Sequence, residues 1–298
     1  MEIEKMFEQY TNKMAQNYLY QRAVNRSAQK ELKELEKFSK ALEEKPKLEN
    51  LRSYFGDNMY FRAAKDGKHI LFAHIKSSLK DMRKAVVLHK NKQYQWLLAE
   101  AYEDFKDFIE NSYAFAGHID KNLWPLNDFG RISLTELKEK DFEWFRKRAR
   151  IKRDVPQSII NRFRDIFPDI SRLETENKLG INLRLAVALI ESLRHIIVHK
   201  SGIVSDKQKF IEDVLKKSGL YNNGKYKDEH KVFIKSFFGA RNYKNVVVLL
   251  EAGIKPEIPF YIHVNLFEVL SRYLMAYANI ILECLQAHKK NEISYNAV

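Results

Sequence analysis

Glycine and proline are scarce in this chain, at 10 and 6 residues of 298. Sheet-rich folds place both at their many turns, so scarcity of both points to long helices joined by few loops. The stretch from Met1 to about Glu44 contains neither. Its second half sets Ala28, Leu32, Leu35, Ser39 and Leu42 at alternating spacings of four and three, a short heptad-like seam suited to packing on a neighbour. An apolar content of 45% with 12% aromatics excludes a fully disordered chain and supplies bulky core residues. The single cysteine, Cys284, excludes an internal disulfide and a cysteine-based zinc cluster. No run approaches the ~20 apolar residues that span a bilayer. The charged N-terminus, Met-Glu-Ile-Glu-Lys, lacks the pattern of a secretory signal. The expectation is a soluble, cytoplasmic, all-α protein with no membrane association.

Local signals divide the chain further. Lys45-Pro46-Lys47 ends the first helix; loops are expected around Gly56-Asp57 and Asp66-Gly67, with helix resuming from about His69 to His89. Gln93 to Ala116 carries Trp96, Leu97, Tyr102, Phe105, Phe108 and Ile109 on a broad apolar face. Ser133 followed by Glu136 predicts a capping box. Asp154-Val155-Pro156 breaks the chain before a short basic helix, Ser158 to Phe167. Asn182 to about Lys200 is the most apolar helix, with Gly202 placed as its C-terminal cap. Asn223-Gly224 predicts a tight turn, 255–259 a rigid connector, and His263 to His288 a final helix.

The formal charge is +13, and two segments account for the surplus. Phe145 to Arg164 holds eight Lys/Arg against the single Asp154, and Lys200 to Lys244 holds eleven against five Asp/Glu. Clustered cations release counterions from a phosphate backbone, so RNA is the expected partner. Arg146, Arg148, Arg150, Lys152, Arg153 and Lys200 are the expected RNA-binding residues. A solvated basic face is the simpler alternative.

The helix Glu191-Ser-Leu-Arg194-His195-Ile-Ile-Val-His199-Lys200-Ser-Gly202 concentrates the chemistry. Glu191, His195 and His199 recur every four residues and share one face, with Arg194 beside them. Such a stripe on an otherwise apolar helix requires partners or a function. Arg194-His195-x-x-x-His199 resembles the Arg-x(4–6)-His motif of the HEPN superfamily, and His195 fits the polar residue that often follows the arginine there. Arg83 to His89 and Arg62 to His69 share the spacing, but Lys84 and Ala63 follow their arginines. The resemblance covers roughly Gln93 to His288. It implies a HEPN-type helical bundle at 91–202 and 254–290, with an N-terminal helical extension at 1–90 and a small basic insertion at 203–253. It also implies a metal-independent endoribonuclease of a toxin or antiviral system. Such an enzyme acts as a homodimer with a composite site, and an antitoxin or sensor protein is a possible partner. A catalytically silent RNA-binding or scaffolding protein of the same fold is the alternative.

The residue types suit that chemistry. Histidine can act as base or acid near neutrality, and arginine can grip phosphate through two donors. His199 and Arg194 are the expected principal groups; His195 would orient or contact phosphate, and Glu191 would position His195 or Arg194. A metal held by Glu191, His195 and His199 is the rival on the same residues, but Ile196 stands where the zincin pattern needs glutamate. There is no Walker A loop and no dinucleotide fingerprint. No metal and no cofactor are expected.

Overall fold

A computed structural model describes residues 2–44, 55–254 and 262–295. The chain is mostly helical and consists of two compact units. One comprises residues 20–93; the other joins residues 2–19 to 94–295. Two long helices, α1 (Ile3–Glu43) and α2 (Leu79–Ile119), contribute to both.

In the 20–93 unit the heptad-like seam does pack on a neighbour. Ala28 and Leu35 of α1 are buried with Val86 of α2, and Leu32, Leu79 and Met82 close around them. Between the helices the expected loops and helix give way to a ribbon. β1 (Phe55–Arg62) pairs antiparallel with β2 (His69–Ser77), so Gly56-Asp57 lies inside a strand and His69 to Ser77 is extended. The reason is composition: Phe55, Tyr60, Phe61, Ile70, Phe72 and Ile75 are aromatic or β-branched, types that fit a pleated surface better than a helix. Asp66-Gly67 does form the turn, with Gly67 at φ +70°. Helix resumes only at Leu79, where Ser78 and Asp81 cap each other reciprocally: the Asp81 amide donates to Ser78 Oγ and the Ser78 amide to Asp81 Oδ2. The connector Lys45-Pro46-Lys47 lies outside the described residues, as does 255–259.

The larger unit has an aromatic core. Tyr10 of α1 stacks on Phe108 of α2 with ring centroids 5.2 Å apart, and Tyr113 stacks on Trp124 at 4.7 Å. After α2 come the short α3 (Leu126–Phe129) and α4 (Leu134–Lys138), the latter opened by the expected Ser133–Glu136 capping box. The basic stretch forms α5 (Phe142–Arg150) and α6 (Gln157–Ile166). Pro168 ends α6 and starts α7 (Pro168–Leu173), because its fixed φ suits a first helical position. The most apolar helix is α8 (Leu183–Lys200). Two helices follow, α9 (Lys207–Lys217) and α10 (Asp228–Lys235), separated by the expected turn, with Asn223 at φ +46° and Gly224 at +84°. Two four-residue strands, β3 (Glu251–Ile254) and β4 (Ile262–Asn265), pair antiparallel and place His263 in a strand. The last helix, α11, therefore starts at Leu266 and runs to Tyr295, beyond the expected end at His288. It packs against α7 and α8.

Candidate active site at the end of the apolar helix

Helix α8 starts where the sequence places it. The Asn182 side chain accepts from the Leu185 amide at 2.9 Å, capping the first turn. Ten of its residues, from Leu183 to Ile197, are buried in the core. The helix ends in two left-handed residues, Ser201 at φ +54° and Gly202 at +79°, and the Gly202 amide donates back to the Ile196 carbonyl at 3.0 Å. The cap residue is thus Ser201, with Gly202 next. The Gly202 carbonyl accepts from the Val247 amide at 2.9 Å, and the buried Gln95 donates to the Val247 carbonyl at 2.7 Å. A Cβ on residue 202 would stand 2.5 Å from Gln95 Oε1. Gly202→Ala therefore combines a disfavoured φ with a clash against a hydrogen-bonded side chain. We expect a loss of about 1–3 kcal/mol in urea unfolding; an unchanged midpoint would mean that Gln95 can move away without loss.

The polar stripe of α8 borders a cleft of about 570 Å³, within the ordinary ~300–1,000 Å³ range of ligand sites. Glu191, Arg194, His195 and Lys200 line it, facing Tyr102, Glu103 and Lys106 of α2 and Lys209, Asp213 and Lys217 of α9. Arg194 pairs with Glu103 at 2.5 Å, and Glu191 pairs with Lys217. The intrahelical Glu191–Arg194 bridge that the spacing allows is replaced by two bridges to other helices. Each partner keeps one atom free among the described residues: Glu191 Oε2 and Arg194 Nε are buried without a hydrogen-bond partner. A buried polar atom left bare costs about 1–3 kcal/mol, so both atoms call for water or a ligand. Tyr102 is mostly buried, and loss of hydration, then Glu191 and Glu103, hold its phenol far above the ordinary range. It stays protonated and serves as a neutral hydroxyl, not as a base.

His195 and His199 are exposed, with ring centroids 4.7 Å apart. Lost hydration holds the His195 pKa below its ordinary value, helped by the nearby charges of His199, Lys200, Arg194 and Lys217. His195 is on the cleft wall; His199 is beside it at the helix end and does not line the cleft. Among the described residues no three His, Cys, Asp or Glu side chains form a metal-binding group. The carboxylate of Glu191 is turned to Lys217 and is not shared with the two imidazoles.

The basic segment is placed differently from what its charge count suggests. Arg146 bridges Glu143 at 3.1 Å, Arg148 Nε donates to the Asp128 carbonyl at 2.9 Å, and Lys152 bridges Asp128 at 2.6 Å. Arg162 donates to the Leu123 carbonyl at 3.0 Å, and Arg164 is bound to the buried Glu174. All but Arg146, whose bridge lies within α5, tie separate elements of the bundle together. Arg150 and Arg153 remain exposed, as does Lys200 at the cleft. Sequence reasoning did not find Tyr102, Glu103, Lys106 or Lys217, which converge on the stripe from two other helices. No family model, curated protein or solved structure matches the chain.

Proposed function

We propose that the chain is a HEPN-type, metal-independent endoribonuclease acting as a toxin or antiviral effector in the cytoplasm. The observation that carries this reading is the shared cleft wall: Arg194 and His195 side by side, a free Glu191 oxygen, and the His199 ring against His195. His195, biased toward the neutral imidazole, takes the 2′-hydroxyl proton of the RNA. The 2′-oxygen attacks the adjacent phosphorus, the bond to the 5′-oxygen breaks, and His199, beside the cleft and acting in its protonated form, gives its own proton to that leaving oxygen; exchange with solvent then restores both imidazoles. Arg194, partly open to the cleft, stabilises the crowded phosphate, with the Glu103 pair to be exchanged for the substrate. In this scheme His195 serves as the base rather than only orienting or contacting phosphate. The products are a 2′,3′-cyclic phosphate and a 5′-hydroxyl. Incubation of purified protein with total RNA, with and without EDTA, beside an Arg194→Ala/His199→Ala double variant, tests the reading. A ladder from wild type in both conditions supports it; cleavage that vanishes with EDTA and returns with zinc would overturn it.

The Arg194–Glu103 and Glu191–Lys217 pairs favour a second reading, in which the stripe is structural and the protein binds or scaffolds RNA without cutting it. Identical RNA profiles from wild type and double variant would select that reading.

RNA affinity under either reading draws on the exposed cations. Replacing Arg150 and Arg153 together by Glu should reduce the slope of log affinity against log salt by about 1.4, at ~0.7 for each single-strand phosphate that is no longer neutralised. Filter binding from low to moderate salt measures it. An unchanged slope would place both residues away from the RNA.

A further inference from the structure

The β1–β2 ribbon carries an uncovered apolar face. Every residue of β1 and all but two of β2 are exposed, and a two-stranded ribbon alone is at best marginal in water. Side chains alternate between its faces, and the register fixes which share one. Asn58 and His74 face each other across the strands, 2.5 Å apart, on the side that carries Arg62 and Lys76 and also the exposed Tyr60–Leu71 pair. The opposite face holds Phe55, Met59, Phe61, Ile70 and Ile75, and Phe72 at the bulge lies against Phe61 with centroids 6.4 Å apart. Phe61 is 50% exposed, Phe72 62% and Ile75 45%. Asp57 is the one charged residue on this face.

We propose that this face is a dimerisation surface, covered by the same face of a second copy of the chain. The area fits. With roughly half of ~200 Å² open on each large side chain, the face exposes on the order of 600 Å². Two such faces bury about 1,200 Å², the lower limit of a stable interface. A patch of that size is at the upper end of what monomers leave bare. The absence of cations on the face argues against RNA as its occupant, since phosphate binding needs them. Two cations near the ribbon tip are also engaged: Arg62 donates to the Gly67 carbonyl at 3.2 Å, and Lys68 bridges Asp66 at 3.2 Å. With so little charge, the face has nothing to select an oppositely charged foreign partner. An identical ribbon needs no second patch, because a two-fold axis makes one apolar face complementary to itself. The inference does not depend on the ribonuclease reading.

Light scattering and sedimentation of the full chain from about 1 to 100 μM test it. We expect a dimer for wild type. Phe61→Asp with Phe72→Asp, and separately Ile75→Lys, should raise the dimer dissociation constant roughly 100-fold or more, with helical circular dichroism and melting retained. Lys76→Glu, on the other face, should remain dimeric. If the double variant does not fold, Ile75→Lys decides. A wild-type monomer throughout, or face variants that stay fully dimeric, would overturn the proposal. So would face variants of unchanged mass that lose RNA retention, which would assign the face to RNA.

Discussion

Arg194→Ala is expected to lower RNA cleavage by about 10²- to 10⁴-fold, and His199→Ala and His195→Ala by comparable factors, the range typical for loss of one proton-transfer or charge-stabilising group. The protein should remain folded in each case. His195 and His199 are exposed, and Arg194 is partly open to the cleft. Melting therefore separates a catalytic stripe from a structural one: a structural network would show its loss as a lowered melting temperature with little change in cleavage. The pH profile adds a second readout. A base must be neutral to act, and the His195 pKa is held below its ordinary value. The acid limb of kcat/KM should therefore rise through a midpoint below ~6.5, the free-imidazole value. His195→Ala should remove that limb from whatever activity remains. An acid limb centred above 6.5 in wild type would assign the base to another group.

Glu174→Ala is expected to be the most destabilising of the polar substitutions considered. Glu174 is 2% exposed and accepts from Arg164 Nε at 2.8 and 2.9 Å and Nη2 at 2.5 Å, and from the Tyr277 hydroxyl at 2.5 Å. Removing the carboxylate leaves a largely buried guanidinium with no counter-charge and a buried phenol with no acceptor. Breaking a buried pair from one side costs about 3–5 kcal/mol, a large share of a typical ~5–15 kcal/mol stability. Tyr277→Phe removes one hydrogen bond and should cost about 1–2 kcal/mol. Urea unfolding of both variants measures the difference. A loss below ~1 kcal/mol for Glu174→Ala would mean that water takes the place of the carboxylate.

Helical period and capping chemistry were local, and they were legible. Asn182 with its apolar run located α8, and Ser133 with Glu136 located α4, because each signal lies within one turn of the element it predicts. The ribbon at 55–77 was not legible. Strand alternation reads clearly when one face is polar and the other meets a core; here Tyr60 and Phe61 are adjacent, as are Ile70, Leu71 and Phe72. Apolar side chains therefore point both ways, and the bulge at Phe72 breaks the remaining period. The charge of the Phe145–Arg164 segment was countable, but not its destination. Whether Arg148 meets solvent or the Asp128 carbonyl depends on where α3 lies against α5, which no spacing within α5 encodes. The candidate site divides the same way. The stripe on α8 was readable from its own helix, while Glu103 and Lys217 became its partners only through the packing of α2 and α9.

The two ends of the described chain meet in one core, and this sets an order on the ribosome. Ile3, Met6, Tyr10 and Met14 are buried in the unit completed by α11. The Tyr18 hydroxyl donates to the Glu268 carbonyl, and Gln286 donates to Glu4 at 2.8 Å. Helix α1 is thus synthesised long before its partners on α11. At ~5–20 residues per second, the stretch after α8 takes roughly 5–20 s to make. Until then α8 lacks the helix that covers it, and its stripe has no fixed place. A nascent chain therefore carries the residues of the candidate cleft before the core that supports α8 is complete. For a protein read as an RNA-cleaving toxin, that delay would spare the message and the ribosome that are producing it.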